Sequence, residues 1–337
     1  MSTFSWRATF GFVAAVVIGV WLMHVPAFAQ VNGQGAWLTG KAPVAAPSAK
    51  TWTAKTPWGH PDLQGTWTSW DLTPTQARDP NAAPAAAATD EDGDNARAPF
   101  KYNGQEYQYQ GLGSGMGREH QSPTSAKRES LVYSPANGRI PVIASKRIRR
   151  SPDSLFEDWR NNSNWTRCIT MGVPGRYLNG AGGGYNKAYD IVQTPTTVVL
   201  LHEMLHEARV IPLDGKPHPG PDVQMYMGDS RGHWEGQTLV VETTNFNGKG
   251  DGYGGVPVTP ALKVVERFTR VNEAQLEYDV TVTDPNVYSA PWSAKQFHNL
   301  DPKYTVFEYA CHEGNMRYME GTLTKWRVDA EAAASKK

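Results

Sequence analysis

Leu276, Tyr278, Val280 and Val282 alternate with Glu277, Asp279, Thr281 and Thr283, the two-residue period of a strand with one dry and one wet face. From Ser130 onward the same kind of pattern recurs in short runs. It predicts strands at Ser130 to Tyr133, Ala188 to Thr194, Val198 to Leu213, Gln224 to Met227, Thr238 to Phe246, Leu262 to Val271, Gln275 to Val282 and Thr305 to Cys311. Turn signals separate them, among them Asn137-Gly138, Pro195-Thr196, Asp214-Gly215, Trp234-Glu235-Gly236 and Asp284-Pro285. A helix is expected at Pro152 to Arg160, with Ser151 as its cap and Pro152 at the first helical position. Short strands joined by tight turns predict an all-β chain, an antiparallel meander that closes or nearly closes into a barrel, or else folds as a sandwich.

Ahead of this regular region the pattern breaks down. Arg7, an apolar run from Phe10 to Met23 and the small-residue site ending at Ala29 read as a secretory signal peptide over residues 1–29. Residues 30–56 lack apolar periodicity and read as a flexible leader. The barrel domain is expected over 57–328, carrying a long irregular insertion at about 74–128 and followed by a disordered tail at 329–337. The acidic run Asp90-Glu91-Asp92-Gly93-Asp94 lacks the spacing of a calcium loop and reads as solvated chain. The mature protein is thus expected in the periplasm or secreted, with no membrane attachment after cleavage.

Charge and cysteines narrow the partners. Lys plus Arg equal Asp plus Glu at 33 each, so no global field draws the protein to nucleic acid or an anionic surface. A small-molecule ligand or substrate fits better; oligomeric state is not legible. Cys168 and Cys311, an even pair in an exported chain, are expected to form a disulfide.

His202-Glu203-Met204-Leu205-His206 spells the pattern in which two histidines on one helix face bind Zn²⁺ and the glutamate acts as base. Its flanks, Thr196 to Leu201 and Glu207 to Leu213, are β-branched and apolar, which reads as one long strand. Histidines four apart on a strand stand about 13 Å apart, too far to share one metal directly. The strand is apolar at its ends and polar in the middle on both faces, as a strand passing a ligand cavity would be. Glu203, His206 and Arg209 form the leading candidate site, with His202 against the ligand. His312 and Glu313, beside Cys311, are a second candidate pair. Trp159, Arg160, Trp165 and Arg167 could wall a planar ligand and hold its acidic group, with Tyr185 and Trp234 as further lining residues. Asp229 to Gly236 reads as a tight turn, and Gly180 to Gly184 as a loop without the lysine of a phosphate cradle.

Several longer stretches carry a resemblance. Trp58-Gly59-His60-Pro61-Asp62-Leu63-Gln64-Gly65-Thr66-Trp67, Asn137-Gly138-Arg139-Ile140-Pro141, Gly228-Asp229-Ser230-Arg231-Gly232-His233-Trp234-Glu235-Gly236 and Tyr309-Ala310-Cys311-His312-Glu313-Gly314-Asn315 are similar to motifs of a large group of exported bacterial proteins. Gly65-Thr66-Trp67 also resembles the Gly-x-Trp opening of calycin barrels, the lipocalins and avidins, which implies a calycin-like barrel. Some calycin-shaped enzymes run cofactor-free acid–base chemistry on aromatic acids inside the barrel.

Three functions follow as expectations. In the first, an exported cofactor-independent lyase, decarboxylase or isomerase acts on a small aromatic or apolar molecule: His206 is acid or base, Glu203 orients it, Arg209 stabilises anionic charge, and His312 with Glu313 stand as the second pair. The second is a zinc hydrolase using His202, Glu203 and His206. The third is a barrel that binds a small ligand without turnover.

Overall fold

The computed structural model describes residues 52–69, 73–80, 100–102, 105–107, 129–148, 158–178 and 186–335. The expected signal peptide, most of the leader and of the 74–128 insertion, the 152–157 part of the expected helix, the 180–184 loop and Tyr185 lie outside the described residues. The strands, in chain order, are β1 (Gly65–Thr68), β2 (Phe100–Tyr102), β3 (Gln105–Tyr107), β4 (Val132–Ser134), β5 (Ala188–Gln193), β6 (Thr197–His202) and β7 (Ala208–Pro212). They continue with β8 (Asp229–Glu235), β9 (Thr238–Thr244), β10 (Asp251–Gly252), β11 (Val256–Pro257), β12 (Lys263–Arg270), β13 (Gln275–Thr283) and β14 (Trp292–Leu300), and a helix α1 (Cys311–Ala334) follows.

Ten of these strands make one sheet; nine follow one another in the order β7-β6-β5-β1-β14-β13-β12-β9-β8, every ladder antiparallel, and wrap into a nearly closed barrel. Followed around the barrel, the strands keep chain order, and β14 returns to pair with β1 through Trp67↔Leu300. An odd number of alternating strands leaves β7 and β8 pointing the same way. They therefore need a crossover rather than a hairpin, and residues 213–228 supply it. Side chains hold this seam: Arg209 Nε on β7 donates to Ser230 Oγ on β8 at 2.8 Å. Gly232 allows the approach, since a Cβ there would stand 2.8 Å from both Ile211 Cγ2 and Leu213 Cδ2. Beside β14, strand β4 covers the stretch that short β1 does not reach, at Ala294↔Val132. Two small hairpins, β2–β3 and β10–β11, stand outside the barrel sheet.

Alternation sets the inside of the barrel. Val264, Glu266, Phe268 and Arg270 of β12, Leu276, Tyr278, Val280 and Val282 of β13, and Val198, Leu200 and His202 of β6 are all buried. Trp67, Tyr177, Tyr189, Phe268 and Tyr278 are each at most 1 % exposed, so aromatic side chains fill the barrel centre. The last residues of the expected leader pack here too: Trp52 N donates to the Val271 carbonyl, and the Arg270 guanidinium lies 3.7 Å over the Trp52 ring.

Several elements differ from the sequence pattern. Gln224 to Met227, expected as a strand, makes only an isolated bridge, Met225 with Phe246, because it lies in the crossover between β7 and β8. The expected strand from Val198 to Leu213 is a hairpin, β6 and β7 joined by a 3-10 turn at Met204–His206. Leu205 and His206 take φ of 65° and 51° there, left-handed backbone with no glycine to announce it. Asp229 to Glu235, read as a turn, is β8, with the tight turn only at Gly236. The expected strand at Thr305 to Cys311 does not form, because β14 already has β13 on one side and β1 and β4 on the other. Cys311 instead starts α1, which continues to Ala334 through most of the stretch expected to be a disordered tail. Ala-rich sequence and the i,i+4 pairs Lys325–Asp329 (2.5 Å) and Arg327–Glu331 (4.0 Å) favour that helix. The Cys168–Cys311 disulfide forms, and it ties the loop at 163–175 to the first turn of α1 rather than to a final strand. No helix among the described residues is long and apolar enough to cross a membrane.

Candidate functional site

The three residues of the leading sequence candidate end in three settings. Glu203, 1 % exposed, accepts from Asn186 Nδ2 and from Tyr304 Oη (2.8 Å). His206 sits exposed on the β6–β7 turn. Arg209 points into the barrel, because the five-residue connection after His202 exchanges the two faces, putting Arg209 and Ile211 inside and Ala208 and Val210 outside. His202 is buried among rings, 4.2 Å from Tyr177 and 5.1 Å from Tyr189 between centroids. His202 thus closes a strand and His206 follows on an exposed turn, which is not the one-face helical pair of a zinc peptidase. Among the described residues no group of three or more His, Cys, Asp or Glu is placed to hold a metal ion.

Arg209 instead anchors a buried polar network. Its Nη2 bonds Glu266 Oε2 in an ion pair 3 % and 0 % exposed, and also donates to Thr243 Oγ1 at 2.7 Å. Ser230 and Thr243 hydroxyls meet at 3.0 Å, and Tyr278 Oη donates to Glu266 Oε1 at 2.9 Å. Burial alone would lower the Arg209 pKa; the Glu266 carboxylate outweighs it and holds the guanidinium above its ordinary range. Burial, then Glu266, pushes the Tyr278 phenol up. Sequence reading missed Glu266, although a carboxylate between Val264 and Phe268 on the dry face of a strand was its signal.

A second buried polar group lies on β14. His298 Nε2 stands 2.8 Å from the Tyr177 carbonyl, which can only accept, so Nε2 carries the proton and Nδ1 accepts from Tyr189 Oη at 2.6 Å. Burial lowers the His298 pKa from 6.5 to about 3, against the pull of the Tyr177 carbonyl. The imidazole is neutral in both folded and unfolded chains above pH 6.5, so its contribution is complete there. As pH falls from 6.5 toward about 3 the unfolded chain takes up a proton that the fold refuses, and stability is lost at up to about 1.4 kcal/mol per pH unit. Glu207 and Asp279, raised by burial, act in the opposite sense. The contribution is therefore read as a difference: urea unfolding at pH 7 and pH 5 should show a steeper loss in the wild type than in His298→Gln. Parallel slopes would contradict the assignment.

The remaining sequence candidates, Trp234 excepted, lie off the barrel strands. His312 and Glu313 are exposed on the first turn of α1 instead of ending a strand. Trp159 and Arg160 belong to the 3-10 turn Trp159–Asn161, where the exposed Arg160 pairs with Asp158. Arg167 is half-buried in the loop tied by the disulfide. Trp234, on β8, faces His60 with ring centroids 5.4 Å apart, so structure brings two of the sequence motifs together. Trp165 lines a cavity.

That cavity, about 480 Å³, opens at the barrel end where β9 finishes and β12 begins. One wall is the 163–175 loop, with Trp165, Met171 and Val173; the others are Phe246, Tyr253, Val258, Leu262, Val282 and Tyr288. The loop is fastened from three sides. Cys168 is bridged to Cys311, Tyr253 Oη donates to the Gly175 and Leu178 carbonyls (2.7 and 2.6 Å), and Glu207 Oε2 accepts from Thr170 Oγ1 (2.7 Å) and Met171 N (2.9 Å). Tyr288 Oη in turn donates to the Tyr253 carbonyl at 2.9 Å. Among the described residues that line it there is no carboxylate and no imidazole; Lys249 is the charged member. Sequence reading found the loop through Trp165 but missed Phe246, Tyr253 and Val258, on and beside the β10–β11 hairpin, and Tyr288, from the connection between β13 and β14.

Comparison of the chain with protein-family models, curated proteins and solved structures finds no match.

Proposed function

We propose that this protein is an exported barrel that binds a small, largely apolar molecule without turning it over. The observation that carries this is the cavity of about 480 Å³, walled by aromatic and aliphatic side chains on a braced barrel end. Its size falls in the range of about 300–1,000 Å³ typical of ligand pockets, and its few polar groups are the usual means of fixing orientation. Export is supported by the disulfide, a bond that persists in oxidising compartments. Acid–base chemistry finds less support: His206 is exposed on a turn, Arg209 is neutralised by Glu266, and the described cavity wall carries neither carboxylate nor imidazole.

N-Phenyl-1-naphthylamine, neutral and dark in water, tests the reading. Titration should give a saturable fluorescence rise at one molecule per chain. Val258→Trp, which fills the cavity from its wall, should weaken that binding about tenfold or more, about 1.4 kcal/mol. A linear, unsaturable signal, or full affinity in Val258→Trp, would sink the proposal.

A further inference from the structure

We propose that two copies of this chain pair through α1, the two helices lying antiparallel about a two-fold axis beside Leu323. The helix outruns the body it grows from. Its first turns are seated: Cys311 is bridged to Cys168, Asn315 Nδ2 donates to the Trp165 carbonyl at 3.4 Å, and Asn315 and Thr322 are buried. From Leu323 to Ala334 every described side chain is exposed. That stretch runs about 18 Å at the helical rise of about 1.5 Å per residue, and a helix of such length with no tertiary packing is marginal in water.

Its surface pattern indicates what covers it. Met316, Leu323 and Ala330 recur every seventh residue, with the half-buried Met319 between the first two, and Met316 and Leu323 are 49 % and 46 % exposed. An apolar stripe of that period is what one helix offers another. Cys311, Asn315 and Thr322, which face the body, lie about a quarter turn away around the helix. The stripe therefore stays open while the first turns remain seated.

Charge fixes direction and register. Glu320 and Arg327, both exposed, flank the stripe on one side, on either side of Leu323 along the helix. In an antiparallel pair Glu320 of one helix meets Arg327 of the other, and by symmetry the exchange occurs twice. The same register sets Leu323 against its own copy and the long Met316 against the small Ala330. Both charges are available: Arg327 reaches only Glu331 of its own helix, at 4.0 Å, and Glu320 forms no ion pair among the described residues. Parallel pairing offers no such exchange and crowds two barrels at one end, whereas the antiparallel arrangement lays each free half of α1 along the seated half of the other.

Sedimentation equilibrium of the full mature chain tests this. A monomer–dimer equilibrium is expected, with the mass approaching twice that of the monomer as concentration rises. Leu323→Glu should weaken dimerisation about tenfold or more, because it places a charge at the centre of the apolar contact. Glu320→Arg alone should weaken it too, and Glu320→Arg combined with Arg327→Glu should restore it, which only a cross-helix exchange explains. All three positions are exposed, so the variants should keep the circular dichroism of the barrel and its binding of N-phenyl-1-naphthylamine. A monomer at every concentration, or wild-type dimerisation in Leu323→Glu, overturns the pairing. A double reversal no stronger than the single one overturns the antiparallel register.

Discussion

Glu266→Ala should lower the unfolding free energy by about 3–5 kcal/mol, the loss expected when one member of a buried ion pair is removed. The substitution leaves the Arg209 guanidinium charged at 3 % exposure with only Ser230 and Thr243 hydroxyls for partners, and removes the acceptor of Tyr278 Oη. Replacing both charges, Arg209→Met with Glu266→Met, should recover much of the loss, since Ser230 and Thr243 still bond each other at 3.0 Å and no lone charge remains. Urea unfolding of the wild type, the single variant and the double variant measures this. A single-variant loss under about 1 kcal/mol would mean that the pair is not shielded from water as its burial indicates.

Removing the disulfide, by Cys168→Ser with Cys311→Ser, should cost about 2–5 kcal/mol. The bridge spans 143 residues and so encloses most of the barrel, which places the loss toward the upper part of that range if unfolded-chain entropy governs. It should also act on binding. Trp165 lies three residues from Cys168, and Asn315, whose amide bonds the Trp165 carbonyl, lies four residues from Cys311. Probe affinity in the double variant should therefore drop at a temperature where the barrel is still folded by circular dichroism. Unchanged affinity would show that Tyr253 and Glu207 hold the loop alone.

Much of the barrel was legible because its strands have one face against the core. The runs at β12 and β13 alternate cleanly, and both strands lie within a residue or so of their expected bounds. Strand β14 was missed for the opposite reason: its inward residues are Trp292, Ala294, Gln296 and His298, so polar groups occupy the dry face and the alternation of hydropathy disappears. Strand β8 was missed because its inward positions are Ser230 and Gly232, small residues required by the close approach of β7 at the seam. The β6–β7 reversal had no Gly, Asn or Pro to mark it, only Leu205 and His206 in left-handed backbone.

The candidate site was less legible than the fold. Trp165 and the cysteines stood out by residue type, and the disulfide forms as expected. The polar centre of the expected long strand did not remain together, because a turn sent Glu203 toward Tyr304, His206 to solvent and Arg209 into the barrel. The partner of Arg209 lies 57 residues away on β12, in a strand whose pattern gave no reason to pair the two.

The sequence by itself determined that the chain forms an antiparallel, nearly closed barrel and that Cys168 joins Cys311, because strand periodicity and a single cysteine pair are local or combinatorially simple facts. Only the tertiary structure decided which side chains face one another. The parallel seam follows from the number of strands in the closed sheet, the Arg209–Glu266 pair from their register across it, and the cavity from four segments meeting at one barrel end. Each of these depends on contacts between residues far apart in the chain, which hydropathy along a single strand does not encode.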